Sequence, residues 1–366
     1  MTDEHERVRV AVIFGGRSGE HSISCITAGS VLRAIDRERY EVLPIGITRE
    51  GGWVLASDDP KALEMHGDEL PEVAKGAPLV LPGDPTCGGP VVVEPGEGAR
   101  AIGEVDVVFP VLHGAFGEDG TIQGLLEMAG IPYVGSGVFG SAATMDKEYA
   151  KKLLAAGGLP VGQYAVLRPG RAALTAVQRE RLGLPVFVKP ARAGSSIGIT
   201  KVTDWADLGD AIAVARAVDP KVIVEQAVIG REIECGVLEG RAGDAPEASV
   251  PAEIRFVADH DWYDFAAKYL EDACEFDVPA DLPPEVTREL REYAVRAFEA
   301  LDCAGLARVD FFLAAGNRLI INEVNTMPGF TPISMFPRMW QASGLDYPAL
   351  VERLIEAALV RGTGLR

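Results

Sequence analysis

Residues 306–325 read LARVDFFLAAGNRLIINEVN, and this stretch decides the fold of the C-terminal part of the chain. Its apolar runs, Leu306 to Leu313 and Leu319 to Val324, are separated by a short turn that contains a glycine, which predicts two paired β-strands. Outward from this stretch, Pro284 to Asp302 place apolar side chains at helical spacing, and a C-terminal helix is predicted from Tyr347 to Leu359. The pattern indicates helices packed on a sheet.

The two predicted strands carry charged side chains that buried strands ordinarily avoid. Side chains alternate between the faces of a strand, so Arg308 shares a face with Asp310, and Glu323 shares a face with Asn325. Two carboxylates and an amide that converge from adjacent strands are hard oxygen ligands of the type that magnesium selects. The arginine adds a fixed cation for a phosphate or an oxyanion. The alternative is an ordinary cross-strand ion pair between Arg308 and a carboxylate.

A second segment ends a predicted strand with a lysine. Val186 to Lys189 is an apolar run, and the loop that follows contains glycines together with Ser195 and Ser196. Loop N–H groups and hydroxyls donate hydrogen bonds while the lysine supplies a positive charge, so the segment is typical of phosphate binding. It is not a Walker A loop, because G-x-x-x-x-G-K-[ST] is absent from the chain. The alternative is that this segment is an ordinary hairpin loop. Further strands are predicted at Ile197 to Val202 and Val222 to Gln226.

The N-terminal part begins with a strand, a glycine turn and a helix. The apolar run Val8 to Phe14 is followed by Gly15-Gly16 and by a predicted helix from Ser22 to Ile35. A second buried strand is predicted from Asp106 to Leu112, and the order strand, glycine turn, helix indicates the start of an α/β unit. Glycines at such a junction let a ligand approach the helix N-terminus. Glu20 at this position either binds an ammonium group or caps the helix.

Two glycine-rich stretches need a separate interpretation. Residues 57–100 contain seven prolines and no clear periodicity, and they are predicted to form a surface excursion on the first domain. Gly135-x-Gly137-x-x-Gly140 matches the dinucleotide-binding fingerprint, but the acidic residue expected about 20 positions later is missing. We interpret this match as chance in a flexible domain boundary, followed by a helix from Asp146 to Ala156.

Composition excludes several classes of protein. Lys and Arg total 35 against 54 Asp and Glu, so the formal charge is −19, which argues against nucleic acid or an anionic membrane as the main partner. Five cysteines form neither a disulfide framework nor a zinc-binding spacing. The polar N-terminus and the absence of a long apolar run predict a cytoplasmic protein.

Together these segments resemble the D-alanine–D-alanine ligase family of ATP-grasp enzymes, and the similarity runs through almost the whole chain. No single motif is decisive, but their joint order and spacing is highly specific. The motifs are Gly15 to Glu20, His113-Gly114, Gly117 to Thr121, Tyr133 to Ser136, Met145 to Lys147, Lys189-Pro190, Gly194 to Ser196, Glu225, Tyr263-Asp264, Lys268-Tyr269, Gly305 to Asp310, Asn322 to Thr326 and Pro328 to Phe330.

The resemblance implies an α/β, three-domain ATP-grasp architecture, with an α+β ATP-binding part. Residues 1–140 would form a Rossmann-like, parallel-sheet substrate-binding domain, residues 141–232 the central subdomain, and residues 233–366 the C-terminal subdomain. ATP would bind between the last two, and about residues 255–275 would form a mobile lid. The chain departs from the family at Gln226, where lysine is frequent, and at Phe265, where tyrosine is frequent, which puts nucleotide affinity and loop packing in question.

The resemblance also implies ligand contacts. For ATP these are Lys147 and Lys189 at the phosphates, Glu225 and the backbone near Val228 at the adenine, Glu232 at the ribose, and Ser196 and Lys268 in the same nucleotide site. Asp310, Glu323 and Asn325 would bind two Mg²⁺ or Mn²⁺ ions. Glu20 would hold the ammonium of the first D-alanine in a trio with Ser195 and Tyr269, Ser334 would contact the second substrate's carboxylate, and Arg308 and the N–H of Gly329 would form the oxyanion site.

The implied reaction joins two D-alanine molecules through a D-alanyl phosphate and supplies peptidoglycan precursor synthesis, and a homodimer is expected. Three alternatives remain open. The chain could be a close relative that uses D-serine or a hydroxy acid as second substrate, but the loop residues Lys268-Tyr269 argue against this alternative. A nicotinamide-dependent dehydrogenase would rest only on the weak glycine fingerprint. A non-enzymatic nucleotide-binding module would require the carboxylates to be structural.

Overall fold

The computed structural model describes residues 7–65, 67, 69–87, 89–94, 98–171, 173–194, 197–256 and 274–364. Within these ranges the backbone forms four β-sheets with helices packed against them. None of the helices in these ranges has both the length and the apolar character that a membrane span requires.

The N-terminal unit contains two sheets. Its elements are β1 (Val8–Gly15), α1 (His21–Ala34), β2 (Tyr40–Ile47), β3 (Trp53–Leu55), β4 (Leu79–Val80), β5 (Val91–Glu94), β6 (Gly98–Ala101), β7 (Val107–Pro110) and α2 (Thr121–Ala129). The larger sheet has the order β3-β2-β1-β7, in which β1 pairs in parallel with β2 and β7. The apolar run of β1 is buried, as expected for a parallel strand that is covered on both faces. The predicted parallel sheet and helix are confirmed, although β7 is shorter than predicted.

Residues 57–100 form more than the predicted surface excursion. Strands β4, β5 and β6 make a small antiparallel sheet. Leu79, Leu81 and Val92 are buried and belong to the same core cluster as Ile13 of β1 and Val108 of β7. The strands are two to four residues long, and periodicity does not reveal strands this short among prolines and glycines.

The central unit is an antiparallel sheet in the order β10-β9-β11-β8. Its elements are α3 (Val138–Met145), α4 (Lys147–Ala156), β8 (Tyr164–Leu167), α5 (Ala176–Leu182), β9 (Val186–Pro190), β10 (Thr200–Val202), α6 (Leu208–Val218) and β11 (Val222–Gln226). Strand β11 has the predicted bounds. The strand predicted to begin at Ile197 begins only at Thr200, because Gly198 has a φ of +74°, which does not occur in an extended strand.

The glycines at 135–140 form a packed helix start rather than the predicted flexible boundary. Gly137 is the N-cap of α3. A Cβ at Gly140 would lie 2.4 Å from the carbonyl oxygen of Asp302, and a Cβ at Gly305 would lie 2.8 Å from the nitrogen of Gly135. Close backbone packing therefore accounts for Gly140, and a φ of +101° accounts for Gly135, so neither glycine requires a dinucleotide.

The C-terminal unit has a sheet in the order β15-β14-β12-β16-β17, and β13 also pairs with β12. Its elements are β12 (Gly230–Leu238), β13 (Glu247–Ala248), β14 (Ala252–Phe256), β15 (Cys274–Asp277), α7 (Pro284–Ala300), β16 (Leu306–Ala314), β17 (Arg318–Asn325), α8 (Met335–Ala342) and α9 (Tyr347–Arg361). Helix α7 buries Val286, Leu290, Ala294 and Phe298 at helical spacing against this sheet. The predicted antiparallel pair of strands is confirmed as β16 and β17. The three-domain division stays a prediction, and its boundary at 232 falls within β12.

Candidate active site

A pocket is lined by the central sheet, by the C-terminal sheet and by the loop after β1. Leu154, Phe187 and Ile233 contribute apolar surface to it. The structure brings most of the predicted site residues to this pocket. These are Glu20, Lys147, Lys189, Glu225, Val228, Glu232, Arg308, Asp310, Glu323, Asn325 and Gly329.

Strands β16 and β17 present the predicted oxygen ligands to the pocket. Asp310 pairs in register with Glu323, and Arg308 pairs with Asn325. A register irregularity follows Asp310, so the ladder changes directly beside these side chains. The Nδ2 of Asn325 donates to Asp310 Oδ2 at 3.0 Å. The predicted convergence of two carboxylates and an amide is therefore confirmed.

Arg308 is held among carboxylates. Its Nε and Nη2 donate to Asp310 Oδ1 and Oδ2 at 2.7 and 2.8 Å, and Nη2 lies 3.2 Å from Glu234 Oε1 on β12. Burial acts to lower the pKa of Arg308, but Asp310 and Glu234 outweigh burial and raise it well above its usual value. The ion pair considered as the alternative is thus present, and it also fixes a permanent cation beside the oxygen ligands.

The donor set fits a hard cation. Carboxylate and amide oxygens are ligands that magnesium accepts, and magnesium in nucleotide sites takes one or two carboxylates together with phosphate oxygens. Within the described ranges no group of three or more His, Cys, Asp or Glu side chains could hold a metal ion by itself. Asp310 and Glu323 would therefore need a further ligand such as a phosphate.

Three lysines approach this face from the central unit. The Nζ of Lys147, the first residue of α4, donates to Ala193 O at 2.8 Å and lies 3.6 Å from Glu323 Oε2. Lys189 on β9 donates to Glu225 Oε2 at 2.8 Å, and Lys151 lies 3.2 Å from Glu225 Oε1. The pocket therefore combines several cations with several carboxylates at short range.

Glu225 is buried, with 7% of its surface exposed. Burial acts to raise the pKa of its carboxyl, but Lys151 and Lys189 outweigh burial and lower the pKa to about 2. For Lys189, burial acts to lower the pKa, and Glu225 and Glu323 raise it overall. For Lys151, burial prevails and the pKa is lowered. An ionised carboxylate at Glu225 accepts hydrogen bonds and donates none.

The side chain of Glu20 reaches toward two glycines instead of capping α1. Glu20 is the N-cap residue of α1, yet its side chain makes no capping hydrogen bond. A Cβ built at Gly114 would lie 2.7 Å from Glu20 Oε2, and one built at Gly194 would lie 3.2 Å away. Glu20 thus occupies the N-cap position without a side-chain capping hydrogen bond, and its carboxylate lines the pocket.

A buried histidine lies close to Glu20. His113 is 5% exposed and its Nδ1 lies 3.1 Å from Met327 O and 3.7 Å from Glu118 Oε1. Burial acts to lower the pKa of His113, but Glu118 raises it overall, whereas burial raises the pKa of Glu118. These two residues belong to motifs of the resemblance, but sequence reasoning assigned neither of them a role.

Gly329 and Ser334 lie together at the start of α8. A Cβ at Gly329 would lie 3.2 Å from Ser334 Oγ. Ser334 is the N-cap residue of α8, and its Oγ lies 2.7 Å from Thr331 Oγ1. Gly329 lines the pocket described above, whereas Ser334 lies beside it.

Some predicted residues fall outside the described ranges. They are Ser195, Ser196, Lys268, Tyr269 and residues 257–273 of the lid predicted at about 255–275. Their roles stay predictions.

Sequence reasoning missed Lys151 and Glu234, which both line the pocket. One signal could have revealed Lys151, because it lies three residues before Leu154 on the predicted helix and thus on its apolar side. Glu234 alternates with Ile233 and Cys235 along β12, and its contact with Arg308 depends on the pairing of β12 with β16.

Comparisons with known proteins indicate the same family along almost the whole chain. Residues 9–136 match the family model described as D-ala D-ala ligase N-terminus, and residues 153–356 match the model described as D-ala D-ala ligase C-terminus. The chain is 65% identical to a D-alanine–D-alanine ligase of Rhodococcus opacus, over 98% of this chain and 99% of the relative. It is 59% identical to a D-alanine–D-alanine ligase of Mycobacterium avium, over 99% of both.

Solved structures share the fold. The VanG D-Ala:D-Ser ligase of Enterococcus faecalis has a TM-score of 0.84 at 35% identity, covering 96% of this chain and 100% of that one. The D-alanine–D-alanine ligase of Coxiella burnetii has a TM-score of 0.81 at 35% identity, covering 97% and 95%. That of Bacillus anthracis, complexed with ATP, has a TM-score of 0.72 at 26% identity, covering 97% and 98%. The predicted ATP-grasp fold and ligase class are thereby confirmed, and the chain belongs to the D-alanine–D-alanine ligase family.

Proposed function

We propose that the chain joins two molecules of D-alanine into D-alanyl-D-alanine at the cost of ATP, and that this dipeptide is used in peptidoglycan synthesis. The observation that carries the proposal is the meeting of Asp310, Glu323 and Asn325 with Lys147 and Lys189 in one pocket. Oxygen ligands and lysines together suit a metal-bound nucleoside triphosphate. If the carboxylates on β16 and β17 were purely structural, they would not need Lys147 from helix α4 and Lys189 from the central sheet beside them.

ATP binds with its adenine near Glu225 and Val228, its ribose near Glu232 and its phosphates near Lys147 and Lys189. The Oε1 of Glu225 is buried and lies 3.2 Å from the Nζ of Lys151, and a carboxylate oxygen can accept a second hydrogen bond. The 6-amino group of adenine would supply a donor for this oxygen, whereas a carbonyl at that position would be repelled by it. Ser196 and Lys268 are further nucleotide contacts on the strength of the sequence alone.

Asp310, Glu323 and Asn325 hold magnesium or manganese ions, for which we propose two positions. When bound, the ions neutralise phosphate charge and orient the phosphoryl group for transfer. Arg308 holds the Asp310 carboxylate in place through its two hydrogen bonds, so this side chain is positioned before the nucleotide arrives.

The reaction has two steps. The carboxylate of the first D-alanine, held at its ammonium group by Glu20, attacks the γ-phosphorus, which gives an acyl phosphate and ADP. The unprotonated amine of the second D-alanine then attacks the acyl carbon, and phosphate leaves. Arg308 and the N–H of Gly329 stabilise the oxyanion of this second step, a contribution of about 3–4 kcal/mol per donor in other enzymes. Ser334 binds the carboxylate of the second substrate.

The acyl phosphate must be kept from water, because water would hydrolyse it. Residues 255–275 are proposed as the lid, in which Tyr269 would join Glu20 and Ser195 and Lys268 would contact the nucleotide. The proposal for these residues rests on the family resemblance.

The second substrate is the finer point of the proposal. The name of the Enterococcus faecalis structure shows that a relative at 35% identity uses D-serine. Relatives at 59–65% identity carry the name D-alanine–D-alanine ligase, which favours D-alanine for this chain.

We also propose that the protein is a cytoplasmic homodimer. This proposal rests on the family resemblance alone, and sedimentation equilibrium would test the mass of the dimer.

A coupled assay of ADP release tests the proposed function. ADP should appear only with ATP, a divalent cation and D-alanine, and mass spectrometry should detect the dipeptide in equal amount. L-alanine should give no ADP above background, and equal mixtures of D-alanine with D-serine or D-lactate should yield mainly D-alanyl-D-alanine. ADP release that does not depend on a D-amino acid would exclude the proposed substrate.

A further inference from the structure

Lys151 occupies an unusual position for a lysine. It lies on α4, and only 4% of its side chain is exposed. Its Nζ donates to the carbonyl oxygen of Asn322 on β17 at 3.1 Å and lies 3.2 Å from Glu225 Oε1. Lysine is almost never fully buried unless it is paired. The burial of this charge therefore calls for an explanation beyond the packing of α4.

Glu225 has two lysine partners with different geometry. Lys189 makes a direct hydrogen bond to Oε2 at 2.8 Å, whereas Lys151 faces the other oxygen, Oε1. Lys189 also lies near the face on which we place the phosphates, and Glu323 contributes to the raised pKa of Lys189. Lys151 is tied to a backbone carbonyl of β17, so its Nζ has less freedom to move.

This difference matters when the nucleotide binds. A lysine that turns toward a phosphate gives up part of its interaction with its carboxylate partner. If Lys189 were the sole cation beside Glu225, that change would leave a buried charge uncompensated, which is strongly unfavourable. A second cation that remains in place removes most of this cost.

We propose that Lys151 is a positioning residue of the nucleotide site, which stays paired with Glu225 so that Lys189 can exchange this carboxylate for a phosphate of ATP. The inference rests on the proposed function, in which Glu225 and Lys189 contact ATP. Lys151 itself touches neither the phosphates nor the substrates. The simpler alternative is that Lys151 only links α4 to β17 through the carbonyl of Asn322.

The test begins with Lys151→Met, which keeps an unbranched side chain of similar length and removes the charge. Lys152→Met is the matched control, because Lys152 is the next residue on α4, its side chain is 51% exposed and it pairs with Glu148. The dissociation constant of the β,γ-imido analogue of ATP should rise about tenfold or more in Lys151→Met. The control should change it by no more than about twofold, and neither variant should move the KM for D-alanine by more than that.

The same measurement with Glu225→Gln separates positioning from packing. A neutral amide needs no counter-ion, so adding Lys151→Met to Glu225→Gln should weaken analogue binding by no more than about twofold. An equal effect of Lys151→Met in both backgrounds would mean that Lys151 supports packing alone, and would overturn the inference. Unchanged binding in Glu225→Gln by itself would overturn the proposed nucleotide site as well.

Lys151→Gln guards against a variant that does not fold. Glutamine keeps a donor for the carbonyl of Asn322 and removes only the charge. Analogue binding should weaken in Lys151→Gln as in Lys151→Met, with native circular dichroism. Parental affinity in folded Lys151→Gln would overturn the inference.

Discussion

The Nζ of Lys147 lies 3.6 Å from Oε2 of Glu323. The proposed phosphate contact and a proposed metal ligand are therefore paired with each other. Magnesium would give Glu323 a stronger partner and would thereby free Lys147 to bind phosphate. Phosphate would likewise give Lys147 a stronger partner and free Glu323 to bind magnesium. Nucleotide and metal should consequently bind with positive coupling, since neither has to break this ion pair alone.

Glu323→Gln should nearly abolish turnover while leaving the fold intact. The change removes one negative charge from the proposed hard-cation site and one partner of Lys147. Steady-state ADP release should fall about a hundredfold or more, with unchanged circular dichroism. Glu292→Gln is a suitable control, because Glu292 lies on α7 of the same unit and its side chain is 64% exposed. Parental activity of Glu323→Gln at saturating magnesium would show that Glu323 is structural.

Arg308→Lys should separate charge from geometry. Lysine keeps the positive charge but cannot reproduce the paired hydrogen bonds to Asp310. We expect kcat to fall about a hundredfold, as when an oxyanion-hole donor is removed. Arg308→Met should in addition lower the free energy of unfolding by about 3–5 kcal/mol, because Asp310 and Glu234 lose the cation that they share.

The control for both substitutions is Arg318→Lys. Arg318 is exposed and lies at the far end of β17. Urea denaturation and steady-state kinetics should give values close to those of the parent. Unchanged kcat in Arg308→Lys would remove Arg308 from the oxyanion site.

The strand pair β16–β17 was predictable, because alternation over eight or nine residues fixes both the strands and the faces of their side chains. The contacts of Lys151 were not, since a lysine on a helix is usually solvated and its partner Glu225 is distant in sequence. Pairing between β12 and β16, which brings Glu234 to Arg308, is likewise a long-range event. Local pattern indicates which face a residue occupies, whereas tertiary pairing decides what that face meets.

Glu225 should make the stability of the chain depend on acid pH. The pKa of its carboxyl is about 2 in the folded chain against 4.5 for an ordinary glutamate. The ionised group therefore stabilises the fold above pH 4.5, and this contribution is lost as pH falls toward 2. Between these values the free energy of unfolding of Glu225→Gln should fall less steeply than that of the parent, by up to about 1.4 kcal/mol per pH unit.

Urea denaturation between pH 4.5 and 3, without nucleotide or metal, measures this slope. Only the slope is diagnostic, because Glu225→Gln also removes the partner of two lysines and lowers stability at every pH. Parallel pH profiles for parent and variant would show that Glu225 is not held ionised by Lys151 and Lys189.

The last prediction concerns the space beside Glu20. A Cβ at Gly194 would lie 3.2 Å from Glu20 Oε2, and the φ of Gly194 lies outside the left-handed region, so alanine fits the backbone but crowds the carboxylate. Glu20 is proposed to hold the ammonium of the first D-alanine, and a displaced carboxylate would bind it less well. Gly194→Ala should raise the KM for D-alanine about fivefold or more and leave the KM for ATP nearly unchanged, since crowding costs about 1–3 kcal/mol.

Gly209→Ala supplies the matched control for this substitution. Gly209 lies on α6 of the same unit, and a Cβ there would meet nothing within 4 Å. Alanine at this exposed helical position should raise stability by about 1 kcal/mol and leave both KM values unchanged. Gly114→Ala is less suitable, because Gly114 has a φ of +73° and any side chain would strain the backbone there.

A parental KM for D-alanine in Gly194→Ala would mean that displacing Glu20 has no effect on substrate binding. That result would count against the proposed contact between Glu20 and the ammonium group. A rise in the KM for ATP alone would instead mean that Gly194 acts on the predicted phosphate-binding loop that follows Lys189.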